Sequence, residues 1–360
     1  MEDALIVEKT VYEIRVARLD EVDALQAFLH EHWREGHIFT KSKTLLDWQH
    51  LDAKSEQYNF IVGVEKASGD FHGVLGYIPL SQFDPEMKAN DFNWMAIWKV
   101  ADAARGHRLG RAFMTFLQEE ISPTILSTVG ASGMSLRMYE EQGYQVGRMH
   151  QHYILNPQTS AFTLVDLAGK SIPEMASAAI GSGKCLKNIS EADFLTGDKP
   201  YFKGHVAVPK KTPNYIANRY FRHPLYRYDV FEIIEDNVAT GLIVIRECKS
   251  GTRNALRMVD FIGPESALTG LGTCFLEVLS QTGAEYLDFY SAGIAMDILE
   301  AAGFTYLYVE DDIVVPNYFE PFLKKNVQIY YMISTKVGEK FRIVKGDSDQ
   351  DRPNSLEVSI

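Results

Sequence analysis

A short basic loop between residues 105 and 111 is the part of the chain best suited to bind an anion. Its sequence, RGHRLGR, carries three arginines and two glycines, and the segment RAFMTFLQEE that begins at its last residue has the apolar spacing of an amphipathic helix. A helix N-terminus presents unpaired backbone N–H groups and a partial positive charge, to which arginines add charge-assisted donors. An ordinary solvated, arginine-rich helix start is the alternative interpretation. We predict a site for a phosphate-bearing ligand made by Arg105, Gly106, His107, Arg108, Leu109, Gly110 and Arg111.

A second stretch, LHEHWREGHIFTKSKTLLDWQHL at residues 29–51, is crowded with histidine and tryptophan. Indole faces pack on the C–H surfaces of sugar rings, and imidazoles bond hydroxyl groups or take a proton from an amine. The histidines do not form an i, i+4 ligand pair, so no metal is predicted. The alternative is that the tryptophans are core residues and the histidines lie on the surface. The candidate residues for an acceptor are His32, Trp33, Trp48 and Asp91, and the candidate proton acceptors are His37, His50 and Asp91.

Composition limits the function classes. The 360 residues are 46% hydrophobic and carry a formal net charge of −12, which predicts a globular protein of two domains and argues against non-specific nucleic-acid binding. Three scattered cysteines, Cys185, Cys248 and Cys274, give no metal or disulfide spacing. The sequence shows no long apolar run and no basic leader, so we expect a cytoplasmic protein without a membrane span.

The elements that must position these residues follow the order β-α-β-β-β-loop-α-β-α-β, with predicted strands at residues 12–18, 60–66, 71–79 and 92–100 before the loop. The order recurs in outline further along, with strands at 228–235, 240–247 and 255–263. The class is therefore α/β (α+β). We predict a first domain at 1–156, a crossover linker at 157–200, a second domain at 201–345 and a frayed polar tail at 346–360.

Spacing supports the duplication. Gly110 lies 33 residues before Gly143, which precedes an aromatic residue, and Gly272 lies 31 residues before Gly303, which also precedes one. At positions the same number of residues before these glycines, the second copy lacks the charged residue of the loop and the polar residues of the last helix. Ala267, Ala292 and Leu299 stand where Arg105, Ser132 and Tyr139 stand in the first copy.

The segments VADAARGHRLGRAFM and SGMSLRMYEEQGY resemble the acyl-CoA loop, of the form Arg/Gln-x-x-Gly-x-Gly/Ala, and the final helix and strand of the GNAT superfamily of N-acyltransferases. The resemblance covers residues 12–156, with a weaker copy at 228–310, and Arg108 replaces the middle glycine of the motif. It implies two tandem domains, each a mixed, largely antiparallel sheet splayed at its centre and flanked by helices. It further implies that acyl-CoA lies in the splay, beside Trp98, Val100 and Ser132, with Tyr139 as general acid.

Three functions remain open at this stage. The first is transfer of an acyl group, acetyl above all, from acyl-CoA to the amine of a nucleotide-linked amino sugar for surface polysaccharide. The 29–51 stretch, together with NWMAIWKV and RYFRHPLY, also resembles GNAT-type proteins found with polysaccharide and lipopolysaccharide enzymes. The second is a Fem-type aminoacyl transferase, against which the net acidity counts. The third is a non-catalytic sensor of acyl-CoA or saccharide. The acyl group, the acceptor and a homodimeric state stay undetermined.

Overall fold

A computed structural model describes residues 11–181, 183–317, 323–335 and 339–354. The chain forms two compact units, of which the first contains residues up to 129 together with 353–354 and the second contains 130–352. This division differs from the predicted domain boundary at 156. The reason is that the strand at residues 150–155 pairs with strands of the second unit rather than the first.

The first unit is a mixed sheet flanked by helices. Its strands lie in the order β1-β3-β4-β5-β6, with β2 beside β3, and all neighbours are antiparallel except the parallel pair β5 and β6. The helix α1 continues as a π-helical turn over Leu29–Trp33, and α4 continues as one over Leu117–Ile121. The elements are β1 (Tyr12–Arg18), α1 (Val22–Phe28), α2 (Ile38–Lys41), α3 (Lys43–His50), β2 (Leu51–Asp52), β3 (Gln57–Glu65), β4 (Phe71–Pro79), β5 (Phe92–Val100), α4 (Leu109–Phe116) and β6 (Ile125–Ala131).

Two glycines set the position of helix α4 on the sheet. Gly63 of β3 pairs with Gly73 of β4. A Cβ added at Gly63 would lie 2.7 Å from Leu109 Cδ1, and one added at Gly73 would lie 2.9 Å from the Phe113 ring. The missing side chains therefore let the buried apolar face of α4 lie directly on the strands, which fixes the helix start that follows the basic loop.

Replacing Gly63 with Ala is expected to destabilise the protein by about 1–3 kcal/mol, because the new methyl group overpacks the contact with Leu109. Denaturant unfolding measures the change in free energy. The matched control is Gly133→Ala, since a Cβ there would meet no atom within 4 Å. An equal effect of the two substitutions would contradict the close packing of α4.

The second unit has a sheet with the order β14-β8-β13-β12-β11-β10-β9, and β16 pairs with β13. In addition, β7 pairs with β15 in an antiparallel ladder. The elements are α5 (Gly133–Glu141), β7 (Gln145–Arg148), β8 (His150–Leu155), β9 (Cys185–Asn188), α6 (Glu191–Phe194), α7 (Pro200–Gly204), α8 (Pro213–Ile216), β10 (Asp229–Glu235), β11 (Val238–Ser250), β12 (Arg253–Ile262), α9 (Gly272–Thr282), β13 (Tyr286–Ala292), α10 (Met296–Ala301), β14 (Thr305–Leu307), β15 (Tyr330–Ile333) and β16 (Ile343–Val344). Two mixed sheets flanked by helices confirm the predicted fold class.

The duplicated order of elements is present, and it starts earlier than predicted. Strand β9 lies antiparallel to β10, as β1 lies antiparallel to β3. The predicted linker at 157–200 therefore contains the first strand of the second copy. Both copies continue with an antiparallel meander, a 3₁₀ turn, a helix, a parallel strand and a further helix.

The ends of α5 and α10 share one hydrogen-bond pattern. Tyr144 N–H donates to the Tyr139 carbonyl and Gly143 N–H to that of Glu140; in the second copy Phe304 N–H donates to Leu299 and Gly303 N–H to Glu300. Both glycines have positive φ, which makes each end a Schellman motif. Leu299 is thus the structural counterpart of Tyr139.

Two of the other sequence matches are shifted. The 3₁₀ turn before each loop ends at buried Ala104 in the first copy and at buried Ala267 in the second, so Ala267 corresponds to Ala104 rather than to Arg105. The residue after it, Leu268, is buried. The helix cap that corresponds to Ser132 is Ala295 rather than Ala292, because α10 is shorter than α5.

The polar tail is not frayed where it is described. Residues 346–349, 351 and 352 are buried in the second unit, where Asp347, Asp349 and Asp351 each form an ion pair. Residues 355–360 lie outside the described residues. Composition predicted a solvated tail, but the tail's charges are paired inside the fold.

Candidate functional site

The parallel strands β5 and β6 separate halfway along their length. Their ladder runs from Phe92 opposite Ile125 to Met95 opposite Thr128, where the Thr128 hydroxyl donates to the Met95 carbonyl at 3.0 Å. Beyond this point Trp98 and Val100 of β5 still pair with β4 on the other side. Among the residues that the structure describes, no ladder pairs with residues 96–100 on the edge of β5 that faces away from β4, and this opening leads to the basic loop that follows β5.

The loop presents backbone N–H groups at the start of α4. The first helical hydrogen bonds are donated by Arg111 and Ala112, both to the Arg108 carbonyl. The N–H groups of Leu109 and Gly110 precede these bonds, so they point out of the helix N-terminus. Together with the positive φ angle of Gly106, these outward N–H groups give the turn a backbone geometry that suits an anion.

Positive charge surrounds this turn. The side chains of Arg105, Arg108 and Arg111 are exposed, and Arg105 forms an ion pair of 2.8 Å with Asp102. Both partners of that pair are more than 70% exposed, so the pair contributes little and a phosphate can compete for the guanidinium. The arrangement suits a ligand with two or more phosphate oxygens.

Trp98 connects the opening to the loop. Its half-buried indole lies against the start of α4, where a Cβ added at Gly110 would be 3.5 Å from the ring. Leu109 is buried beneath the loop, and the exposed His107 ring contacts Tyr12 edge-on at 5.9 Å. Trp98 and Gly110, both predicted cofactor residues, are thus brought together.

The middle position of the motif has the backbone conformation that glycine favours. Arg108 has φ 55° and ψ 21°, and in the second copy a positive φ, 78°, occurs at Gly270, two residues before Gly272. A left-handed conformation costs a side-chain-bearing residue roughly 1–2 kcal/mol. Arg108, which replaces the middle glycine of the motif, is therefore a strained residue that places a charged side chain at the loop.

We expect Arg108→Gly to be more stable than Arg108→Ala by about 1 kcal/mol, because both remove the guanidinium and only glycine adopts this φ freely. Thermal unfolding of the two variants measures the difference. Equal stability would show that the left-handed conformation at 108 is not maintained in solution.

Helix α5 carries the predicted cofactor residue Ser132 and the predicted acid Tyr139. Ser132 is the N-cap: its exposed hydroxyl accepts a hydrogen bond from Ser135 N–H at 3.3 Å. Tyr139 is only 3% exposed, and its ring contacts Tyr144 at 6.2 Å. Burial raises the pKa of the Tyr139 phenol above its usual range, against a smaller lowering by its hydrogen bond with Ser135. The phenol therefore stays protonated at neutral pH.

His32 and Trp33 occupy the π-helical turn that follows α1, and this turn lies beside β5. The half-buried His32 ring packs on Phe28 at 4.7 Å, and Trp33 is 41% exposed. A shallow groove on the same helical segment is lined by Ala27, His30, Glu31 and Glu35. Of the predicted acceptor residues, these two are the pair that the structure brings together.

The other acceptor and base candidates lie elsewhere. His37 is the buried N-cap of α2, where its Nδ1 accepts from Phe39 N–H. His50 is fully buried between Phe39 and Phe60, with Nδ1 against the Tyr77 carbonyl and Nε2 against the Gln49 amide. Both histidines have the environment of core residues rather than of a base open to an incoming amine.

Trp48 and Asp91 are also separate from the loop. Trp48 is half-buried, and its ring packs on Phe83 at 4.8 Å. Asp91 is exposed and precedes β5, whereas the basic loop follows it, so nine residues of strand, roughly 30 Å, lie between them. Asp91 is close to β5 in the sequence, but it lies at the opposite end of that strand from the basic loop.

In the second copy the chain itself covers the corresponding helix start. A Cβ added at Gly272 would overlap Met175 Sδ and lie 2.8 Å from the Ala179 carbonyl. Lys184 Nζ donates to the carbonyls of three loop residues, at 3.1, 3.2 and 2.9 Å. These loop residues are Ser266, Ala267 and Thr269. Because Lys184 bonds to backbone carbonyls, which every residue carries, no sequence motif predicted that this segment covers the helix start.

Among the residues that the structure describes, no group of three or more His, Cys, Asp or Glu side chains is placed to hold a metal ion. Within the same residues, no helix combines the length and the apolar character needed to cross a membrane.

Comparison with known proteins supports the fold. No protein-family model and no curated protein matches the sequence. The chain is similar to the crystal structure of a GCN5-related N-acetyltransferase from Anabaena variabilis, with a TM-score of 0.54, 15% identity, and coverage of 89% of this chain and 72% of that one. A GCN5-related N-acetyltransferase from Sphaerobacter thermophilus gives a TM-score of 0.45, 13% identity, and coverage of 90% and 95%. The similarity to the Anabaena variabilis structure shows that the chain has the fold of a GCN5-related N-acetyltransferase.

Proposed function

We propose that the protein is an N-acyltransferase that moves an acyl group, acetyl above all, from acyl-CoA to the amine of a small acceptor. The observation that carries this proposal is the opening between β5 and β6, which leads to an arginine-rich turn with outward N–H groups. The thioester arm fits along the open edge of β5 next to Trp98. The pyrophosphate fits on the turn, held by Arg105, Arg108, Arg111 and the backbone around Gly106 and Gly110.

The chemistry needs a free amine and a protonated thiolate leaving group, and it needs no covalent enzyme intermediate. Tyr139 supplies the proton to the departing sulfur, since its phenol carries a proton at neutral pH. Ser132 holds the pantetheine arm. Because His37 and His50 are enclosed, the incoming amine loses its proton to water or to an exposed group of the acceptor region.

The acceptor region is the π-helical turn with His32 and Trp33. An exposed indole beside an imidazole suits a sugar ring, and the carboxylates of Glu31 and Glu35 in the adjoining groove attract an ammonium group. We propose an amino sugar, nucleotide-linked and used in surface polysaccharide, as the acceptor class.

The proposal is tested by release of free CoA thiol on mixing the protein with acetyl-CoA and a panel of amines that includes amino sugars, their nucleotide-linked forms, polyamines and peptides. Turnover with amino sugars above the rate with the other amines supports the acceptor class. Turnover with another amine keeps acyl transfer and rejects the sugar. No turnover and no rise in melting temperature with any acyl-CoA rejects the function.

Binding of one acyl-CoA per chain is expected, because Met175, Ala179 and Lys184 cover the helix start in the second copy. Isothermal titration calorimetry gives the stoichiometry. Two equivalents per chain would contradict the expectation. So would loss of binding in a folded Gly270→Ala variant when Gly106→Ala binds normally.

A further inference from the structure

The second copy also has an opening between its parallel strands, and the chain's own C-terminal segment fills it. Strands β12 and β13 pair over Leu256–Met258 and Leu287–Phe289 and then separate, as β5 and β6 do. Strand β16 pairs with the end of β13, Lys345 N–H donates to the Tyr290 carbonyl at 3.1 Å, and Gly346 N–H donates to the Val259 carbonyl at 2.8 Å. The segment thus bonds to both separated strands.

The fit at Gly346 excludes a side chain. A Cβ added there would overlap the Tyr220 hydroxyl oxygen and lie 2.7 Å from the Val259 carbonyl. The segment therefore lies in the opening as closely as a strand within a sheet, and the residue at this point must be the smallest one.

The carboxylates of the segment meet buried cations. Lys211 Nζ lies 2.9 Å from Asp347 and 2.7 Å from Asp260, and both of these carboxylates are buried. Arg246 Nη2 lies 2.8 Å from Asp351, and the Tyr228 hydroxyl donates to the same carboxylate at 2.8 Å. Charges at this depth are stable only when they are paired, so the cleft is built for a ligand with carboxylates at these two positions.

We propose that the second copy has become a peptide-binding cleft, permanently filled by residues 342–352 of its own chain. The cleft takes an extended strand with glycine where the strand crosses between β12 and β13 and with aspartates one and five residues after that glycine. The inference rests on strand pairing and charge in the second unit and is independent of the proposed acyl transfer.

The test uses the full chain with a protease recognition site replacing residues 336–338. After cleavage, the fragment that begins at Glu339 is expected to stay bound through gel filtration. The same cleavage in a Gly346→Val background is expected to release it. Release from the protein with native Gly346, or equal retention in both backgrounds, would overturn the proposal.

A second measurement uses the uncut chain, so that the test survives if the cut protein precipitates. Asp351→Asn removes the carboxylate charge that pairs with buried Arg246 and is expected to lower the melting temperature by about 10 °C. The control is Glu310→Gln, which changes an exposed carboxylate of the same unit. Equal melting temperatures of the two variants would overturn the proposal.

Discussion

Acyl-CoA is expected to bind about 10²–10⁴-fold more weakly to the double variant Arg105→Ala, Arg108→Gly than to the native protein. Each charged hydrogen bond removed costs about 1.5–3 kcal/mol, and two of them give several kcal/mol. Glycine at 108 keeps the left-handed backbone, so the loop loses charge without losing its shape. Calorimetric titration with acetyl-CoA measures the affinity.

The matched control is Arg222→Ala, which removes another exposed arginine that is paired with a carboxylate, Glu191. Its affinity for acetyl-CoA should equal that of the native protein. If the double variant also bound normally, the loop at 105–111 would not be the pyrophosphate site. If both variants weakened binding, the effect would be one of overall charge, and added salt would reduce it in both.

The duplication and the loop could be predicted from the sequence because both depend on local patterns. Glycine before an aromatic residue ends a helix by a Schellman motif, and this signal located Gly143 and Gly303. The replacement of the motif's middle glycine by Arg108 left the loop geometry undecided in the sequence, and the structure shows that Arg108 keeps the left-handed backbone that glycine favours. Helix ends depend on a few neighbouring residues, so the sequence can predict them.

Burial of single histidines and tryptophans could not be predicted. His37 and His50 lie near exposed Trp33 in the sequence, yet the packing of α2 and α3 encloses both imidazoles. The spacing of polar and aromatic residues at 29–51 is compatible with either orientation of each side chain. For His50, the contacts with Phe60 of β3 and Tyr77 of β4, which lie outside the stretch, enclose the ring.

The burial of charged residues in the polar tail could not be predicted from the sequence either. Composition predicts that GDSDQDR is solvated, because isolated charges avoid the interior. Its partners Lys211 and Arg246 stand more than a hundred residues earlier, on a connecting segment and on β11. Pairing over that distance leaves no local sequence pattern. The sequence therefore did not predict that the tail fills the opening between β12 and β13.

Replacing Tyr139 with Phe is expected to lower kcat by about 10²–10⁴-fold while leaving acyl-CoA affinity nearly unchanged, because the substitution keeps the ring and removes only the proposed acid. The ring is 3% exposed, and phenylalanine keeps its packing. A loss of turnover would therefore be due to the missing hydroxyl group. Tyr144→Phe is the matched control, since this tyrosine contacts Tyr139 edge-on and has no assigned role. If Tyr139 is the acid, its raised pKa also predicts that the native protein loses no activity through ionisation of this phenol up to about pH 10. Normal kcat in Tyr139→Phe with a good acceptor would leave the phenol a packing residue and require solvent or another donor to protonate the departing thiolate.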